Sequence, residues 1–188
     1  MCNFKGKYIC ESCFNKVPKG GLRNGNYSIF TYTGIVRKAI ISLKYKFAFD
    51  IADELTEISL KNLKTFEQPK NIVLLPIPLH FRRENWRGFN QSEIIGEKLA
   101  KATGWKYVSD LLVRNKNTQP QVGLKGLARH QNLEDVFILN KNYEISKIIN
   151  KKIIIFDDVY TTGSTIKEAK KVLINAGFKK VFSLTVAR

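Results

Sequence analysis

The chain has 188 residues, 44% of them hydrophobic, and its 32 lysines and arginines against 16 acidic residues give a formal net charge of +16. This length suits one α/β domain with a small appendage. No apolar run is long enough to span a membrane and the start lacks the apolar region of a signal peptide, so we expect a cytoplasmic protein without membrane insertion. The charge favours a polyanionic partner, such as nucleic acid, an anionic membrane or a phosphate-rich ligand, over a basic composition that only aids solubility.

Three cysteines lie within the first 13 residues, namely Cys2, Cys10 and Cys13. Cys10 and Cys13 form a Cys-x-x-Cys pair, which is half of a zinc knuckle, and Cys2 is a candidate third ligand. A structural zinc site normally has four ligands, and both histidines are distant in the sequence. The alternatives are therefore an incomplete zinc site or three reduced thiols. We assign residues 1–20 to a zinc-finger-like segment and residues 21–188 to the main domain.

The first predicted elements are a strand and two helices. The pattern over residues 22–33 predicts a turn followed by a strand. Apolar residues at helical spacing predict a helix over residues 35–47, and its other face is basic and includes Lys44. Such a face is more often solvated than used for binding. A second helix is predicted over residues 51–63, with Asp50 as its N-cap.

The next strand leads into a segment rich in arginine and aromatic residues. Residues 71–80 predict a buried strand that is stopped at Pro76-Ile77-Pro78. The loop after it contains the candidate nucleic-acid ligands Arg82, Arg83, Trp86 and Arg87. Arginine binds phosphate and aromatic rings stack on bases, although the aromatic residues of this loop could instead enter the core. A helix over residues 91–102 follows, capped by Asn90 and ended by Gly104.

The second half of the chain continues the alternation of strands and helices. Strands are predicted over residues 108–114 and 135–139, separated by a polar segment over residues 115–122 and a short basic helix over residues 123–132. A helix over residues 164–176 and a strand over residues 179–187 close the chain. Alternating strands and helices imply a mostly parallel sheet.

The most specific pattern is a buried strand over residues 153–156, followed directly by Asp157 and Asp158. Ligands of open α/β sheets bind at the carboxyl ends of the strands. A turn then leads into a helix, and its backbone N–H groups and hydroxyls suit a phosphate; it comprises Thr161, Thr162, Gly163, Ser164 and Thr165. Because like charges repel, the two carboxylates suit hydroxyl donors or a metal-bound sugar phosphate, so a phosphorylated ribose fits both features. The alternative is that these residues only cap the helix.

This stretch resembles the phosphoribosyl pyrophosphate (PRPP) signature of type I phosphoribosyltransferases. The resemblance implies an α/β fold with a mostly parallel central sheet flanked by helices. It implies that Asp157 and Asp158 bind the ribose hydroxyls, that residues 161–165 bind the 5′-phosphate, and that Mg²⁺ accompanies PRPP.

A wider set of residues resembles the ComF family of competence proteins. It comprises residues 32–34, 43–45, 76–80 and 87–91, together with Arg114, Thr118, Gln121, Arg129 and Asn132. The resemblance implies a role in natural transformation and DNA uptake, in which incoming single-stranded DNA is handled alongside a helicase-like partner. The family's zinc finger has two Cys-x-x-Cys pairs; Cys10 and Cys13 match the second pair, and Cys2 matches one member of the first.

The resemblance also suggests roles for individual residues. Pro76, Ile77 and Pro78, with Arg82 or Arg83, would lie on the pyrophosphate side. Arg114 and Lys116 would lie on a catalytic loop that closes over the ligand, and Arg129 would contact nucleic acid.

Two principal functions remain open from the sequence. The first is a competence factor that binds single-stranded DNA and a PRPP-like ligand. The second is an active Mg²⁺-dependent phosphoribosyltransferase with an unknown acceptor. A third reading is a fold that has lost catalysis and serves as a protein-interaction platform.

Overall fold

The computed structural model describes residues 9–46, 49–63, 71–115 and 136–188. The helices are α1 (Glu11–Asn15), α2 (Gly34–Lys46), α3 (Asp50–Leu63), α4 (Phe81–Arg87), α5 (Gln91–Thr103) and α6 (Ser164–Asn175), with a short 3-10 helix at Ile145–Lys147. The strands are β1 (Lys19–Arg23), β2 (Asn26–Phe30), β3 (Ile72–Pro76), β4 (Lys106–Tyr107), β5 (Leu112–Arg114), β6 (Phe137–Leu139), β7 (Lys152–Val159) and β8 (Val181–Ala187).

The central sheet has six strands in the order β1-β2-β8-β7-β3-β4. All neighbouring strands are parallel except β1 and β2, which pair antiparallel. The predicted fold class, an α/β fold with a mostly parallel sheet flanked by helices, is confirmed. The carboxyl ends of the parallel strands share one edge, so the loops after β3 and β7 meet there.

Strand alternation gives the sheet two buried faces. In β7, Ile154 and Phe156 belong to the core on one face, and Ile153 and Ile155 belong to the core on the other. Helices α2, α3 and α5 cover the first face, and α6 covers the second. A strand that is buried on both faces needs an uninterrupted apolar run, which is the pattern that predicted it.

The described part of the N-terminal segment packs on the main core. Ile9 is buried, and its backbone N–H donates to the Glu54 carboxylate at 2.7 Å. The ring of Phe14 meets the ring of Phe30 edge-on, with 6.1 Å between their centroids. Strand β1 begins at Lys19 and is already part of the central sheet. The division into residues 1–20 and 21–188 stays a prediction.

Two predicted strands lie outside the central sheet. The predicted strand over residues 108–114 is reduced to β5, and β5 pairs antiparallel with β6 in a separate two-stranded sheet. This small sheet packs on the same core as α6. Periodicity indicates that a segment is extended, but it does not identify the partner strand.

The sequence predicts a loop after β3, but the structure has the helix α4 over Phe81–Arg87. His80 caps it by accepting the Arg82 N–H at Nδ1, and Gly88 ends it in the left-handed conformation. The segment has no apolar period, so the capping residues are the only local signal. The predicted helix over residues 123–132 lies outside the described residues. None of the described helices is long and apolar enough to cross a bilayer.

Candidate functional site

The two acidic residues of the signature lie at the carboxyl end of β7. Asp158 is buried, and Asp157 is half-buried. Asp157 Oδ1 accepts hydrogen bonds from Ser92 Oγ at 2.9 Å and from the Asp158 N–H at 2.8 Å. Ser92 lies in the first turn of α5, so a second element fixes the position of Asp157.

Lys44 of α2 neutralises Asp158. Its Nζ lies 2.8 Å from Asp158 Oδ1 and 2.7 Å from Oδ2, so the ammonium group bridges both oxygens. The sequence places Lys44 on a solvated basic face, and that expectation is wrong for this residue. Its partner is 114 positions away along the chain, so nothing local could have revealed the pair.

The acid pair shifts the pKa values around it. Burial alone would lower the pKa of Lys44, but the charges of Asp158 and Asp157 outweigh that effect and raise it. Burial and the charge of Asp158 raise the pKa of Asp157 to about 6, although Lys44 and the Ser92 hydroxyl act in the opposite direction. Asp157 therefore titrates near neutral pH.

The turn after the acid pair forms the start of α6. Gly163 precedes the helix in the left-handed conformation with φ 77°, and Ser164 is buried at the first helical position. The hydroxyls of Thr162 and Ser164 lie 2.9 Å apart. Backbone N–H groups at a helix start are suited to a phosphate. Thr161, Thr162, Gly163, Ser164 and Thr165 thus lie together at the sheet edge that carries Asp157.

The Pro76-Ile77-Pro78 segment is tied to both neighbouring elements. The Ile77 N–H donates to Phe156 O of β7 at 2.8 Å. Asn90 Nδ2 donates to Ile77 O at 2.9 Å, while Asn90 Oδ1 caps α5 by accepting the Ser92 N–H. The structure therefore brings this segment, Ser92 and Asp157 together at one edge of the sheet.

Aromatic and arginine side chains form a second feature beside this edge. The Arg87 guanidinium lies over the Tyr45 ring, 5.6 Å from its centroid, and Arg87 Nη1 donates to Gln91 Oε1 at 2.6 Å. Phe49 packs on Phe89 with 4.5 Å between ring centroids. A group of exposed apolar side chains rimmed by polar residues is typical of an interaction site. We call Tyr45, Phe49, Trp86 and Arg87 the aromatic–arginine surface; its three rings are 52%, 49% and 65% exposed.

Two further arginines of α4 were predicted to bind nucleic acid. Arg82 is exposed, and its guanidinium lies 5.9 Å from the centroid of the exposed Phe81 ring. Arg83 lies in α4, but its side chain is outside the described residues. Tyr45 and Phe49 were not predicted for this surface. Tyr45 lies in α2 and Phe49 directly precedes α3, so they approach α4 and the loop after it only in the folded chain.

Comparison with known proteins identifies the family. Competence protein ComFC of Streptococcus pneumoniae is 31% identical over 179 residues, which cover 95% of this chain and 74% of that protein. The chain belongs to the ComF family. Competence protein F of Haemophilus influenzae is 32% identical over 118 residues, which cover 62% of this chain and half of that protein. DNA utilization protein YhgH of Salmonella typhi is 28% identical over 172 residues, which cover 89% of this chain and 72% of that protein.

Solved structures that are similar to this ComF chain are more distant. Glutamine PRPP amidotransferase of Bacillus subtilis matches with 17% identity and a TM-score of 0.43, over 73% of this chain and 25% of that chain. Adenine phosphoribosyl transferase of Trypanosoma brucei matches with 12% identity and a TM-score of 0.41, over 92% of this chain and 64% of that chain. No family model matches the chain.

The catalytic-loop residues predicted for this ComF protein are only partly described. Arg114 is buried in β5, with its guanidinium 5.6 Å from the centroid of the Phe137 ring. Lys116 and Arg129 lie outside the described residues. The roles of all three stay predictions.

The zinc site expected of a ComF finger is also only partly described. Cys10 is the N-cap residue of α1 and Cys13 lies within that helix, both half-buried. Cys2 lies outside the described residues. Within the described ranges, no group of three or more cysteine, histidine or acidic side chains is placed to hold a metal ion. Two thiols are half of a four-ligand set, so the zinc site stays a prediction that depends on Cys2.

Proposed function

We propose that this protein binds single-stranded DNA in the cytoplasm during natural transformation and binds a phosphoribosyl ligand at the edge of β7. The family supports the DNA-uptake role, since a relative is named a DNA utilization protein and others are named competence proteins. The observation that carries the proposal is that consecutive residues of α2 serve both features. Lys44 pairs with Asp158, and Tyr45 packs under Arg87.

The phosphoribosyl part of the proposal rests on the donor and acceptor chemistry at the sheet edge. The turn at residues 161–165 offers N–H and hydroxyl donors to a phosphate. Asp157 Oδ2 accepts no hydrogen bond from the described residues, so one carboxylate oxygen is open to a sugar hydroxyl. These groups fit PRPP with Mg²⁺, whose metal would supply charge neutralisation on the pyrophosphate.

The ligand site is tested by calorimetric titration of PRPP with Mg²⁺. We expect binding to the unchanged protein and none to the Asp157→Asn/Asp158→Asn double variant. An Asp50→Asn/Asp53→Asn variant of α3 is the matched control, because it removes the same charge from exposed positions. Equal binding to all three proteins would exclude the acid pair as the ribose site.

The proposed DNA surface is tested by replacing its aromatic side chains with alanine. Stacking of one base on an aromatic ring contributes roughly 1–3 kcal/mol. We therefore expect Tyr45→Ala and Trp86→Ala each to weaken binding of a single-stranded oligodeoxythymidylate by at least about fivefold. Phe182→Ala is the control, because Phe182 is as exposed as Tyr45, at 52%, but lies in β8. Similar losses in all three variants would refute a specific surface.

A phosphoribosyltransferase is the second candidate, favoured by the convergence of the Ile77 segment and the phosphate turn at one edge. In such a reaction the ribose C1–pyrophosphate bond breaks, and a bond to an acceptor nitrogen forms. Asp157 and Asp158 would position the ribose, not attack it. Release of pyrophosphate from PRPP upon addition of a nucleobase or an amine would favour this function. Tight PRPP binding without release with any acceptor would favour the first one.

A further inference from the structure

A basic groove continues from the phosphate turn along α6. It has a volume of about 550 Å³ and runs from residues 162–164 past Lys167, Lys170 and Lys171 to Asn24 and Ile174. Asn24 lies in the turn between β1 and β2, two residues before Asn26, which pairs with Ser183 near the amino end of β8. The groove therefore extends from the carboxyl edge of the sheet towards its amino edge. The 12 residues of α6 span about 18 Å.

The lining of this groove is positively charged. Three lysines line it, and none of the described residues that line it is acidic. Lys167 and Lys171 are exposed and lie one helical turn apart. Lys170 is half-buried and donates to Gly25 O at 3.0 Å, which ties α6 to the β1–β2 turn. Two exposed ammonium groups on one helix suit the phosphates of an extended polyanion.

The acid pair lies at the carboxyl end of β7, just before the phosphate turn from which the groove starts, and it offers one open oxygen. Lys44 bridges both oxygens of Asp158, and Asp157 Oδ1 already accepts two hydrogen bonds. Asp157 Oδ2 is the remaining carboxylate oxygen, with no partner among the described residues. A carboxylate oxygen has two lone pairs, so one sugar hydroxyl is enough to occupy Asp157 Oδ2, although it can also accept from two. Deoxyribose at the end of a strand has one such hydroxyl, on its 3′ carbon.

We infer that this site binds the 3′ end of single-stranded DNA. The terminal 3′-hydroxyl donates to Asp157, the 5′-phosphodiester of that nucleotide lies at residues 161–165, and the strand continues along Lys167 and Lys171. This inference rests on the proposed function, because it uses the same sugar-phosphate site and the same DNA ligand. It makes the strand end and the phosphoribosyl ligand competitors for one position.

The polarity follows from charge. A strand that entered with its 5′ end would continue from its 3′ oxygen, so its next phosphodiester would lie against Asp157. Two negative groups in contact repel, and the cost is larger in a half-buried position than in water. A strand that ends in a 3′-hydroxyl places its last phosphate at the N–H groups of α6 and the phosphates before it beside Lys167 and Lys171.

The test measures fluorescence anisotropy of an internally labelled oligodeoxythymidylate that ends in either a 3′-hydroxyl or a 3′-phosphate. A hydrogen bond to a charged group contributes roughly 1.5–3 kcal/mol, so the 3′-hydroxyl strand should bind about tenfold more tightly or better. Asp157→Asn should reduce this difference. Lys167→Glu/Lys171→Glu should make the slope of log affinity against log salt less negative by about 1.4, because each phosphate contact on a single strand contributes about −0.7.

Lys101→Glu/Lys106→Glu is the matched control, since these lysines are exposed on α5 and on β4 at the far edge of the sheet. Equal affinity for the two strand ends would overturn the inference, as would equal slopes for the groove variant and the control. In either case, binding that still depends on Tyr45 and Trp86 would leave the proposed function standing. No binding of either strand would overturn both.

Discussion

One lysine neutralises Asp158 of the acid pair. Removing one partner of a buried ion pair leaves the other charge without compensation, which costs roughly 3–5 kcal/mol. Lys44 keeps 22% of its side chain exposed, so we expect a loss at the lower end of this range. Lys44→Met should lower the free energy of unfolding by about 3 kcal/mol. Urea denaturation measures this change.

The control for this prediction lies on the same helix. Lys38 of α2 is exposed, and Lys38→Met should change the free energy of unfolding by less than about 0.5 kcal/mol. Lys44→Met/Asp158→Asn, which removes both charges, should recover part of the loss. If Lys44→Met and Lys38→Met are equally stable, the Lys44–Asp158 pair does not hold α2 against β7.

Asp157 makes the stability depend on pH. Its pKa is raised from 3.8 to about 6 in the folded chain, so the folded state binds the proton more tightly than the unfolded state. Acid therefore stabilises the fold at this residue, and the contribution is lost as the pH rises from about 4 through 6. When the pH rises from about 5 to 7, we expect the free energy of unfolding to fall by about 1 kcal/mol more in the unchanged protein than in Asp157→Asn.

Urea denaturation at the two pH values measures the difference. Asp110→Asn is the control, because Asp110 lies at an exposed turn, and it should follow the unchanged protein. An Asp157→Asn variant with the same pH dependence as the unchanged protein would show that the carboxyl titrates at its ordinary pKa.

At the residue scale, the sequence indicated the candidate ligand groups but not the side chains that contact them. Asp157, Asp158 and the turn residues form a contiguous motif, so a local pattern was enough to find them. Lys44 and Ser92 contact the acid pair from α2 and α5, at sequence separations of 114 and 65. Such pairs follow from how helices dock on a sheet, which no local pattern encodes.

The turn before α6 depends on one glycine. Gly163 has φ 77°, and a Cβ there would clash with the Tyr160 hydroxyl. We expect Gly163→Ala to destabilise the fold by roughly 1–2 kcal/mol for the backbone alone, to displace Tyr160 and to abolish PRPP binding. Thermal unfolding and calorimetry measure the two effects.

Gly104 provides the matched comparison. It ends α5 with φ 72°, and a Cβ there would meet nothing within 4 Å. Gly104→Ala should therefore show the backbone cost alone and keep its PRPP affinity. Unchanged PRPP affinity in Gly163→Ala would separate the turn from ligand binding.

At the element scale, buried and strongly periodic segments were predicted well and the others were not. Strand β7 and helices α2, α3, α5 and α6 carry long apolar patterns that report burial directly. Helix α4 carries exposed rings and arginines in place of an apolar stripe. Strands β5 and β6 are three residues each, and their partner is fixed by packing against α6.

At the scale of the whole molecule, the net charge of +16 raises the question of whether DNA is bound at defined positions or coats the surface. These cases predict different salt dependences, and among the residues that the structure describes we count four cations as candidate phosphate contacts. Arg82 and Arg87 lie in α4, and Lys167 and Lys171 line the groove along α6. Four phosphate contacts on a single strand predict a slope of log affinity against log salt of about −3.

Coating would give a different slope. If affinity followed the whole net charge, the slope would approach about −11. Anisotropy titrations over a range of sodium chloride concentrations distinguish the two values. With about four contacts, binding also keeps a salt-independent part from ring stacking, and Tyr45→Ala/Trp86→Ala should remove that part without changing the slope. A slope near −11 that the double variant leaves intact would show that charge alone holds the DNA, and that the aromatic–arginine surface has another partner.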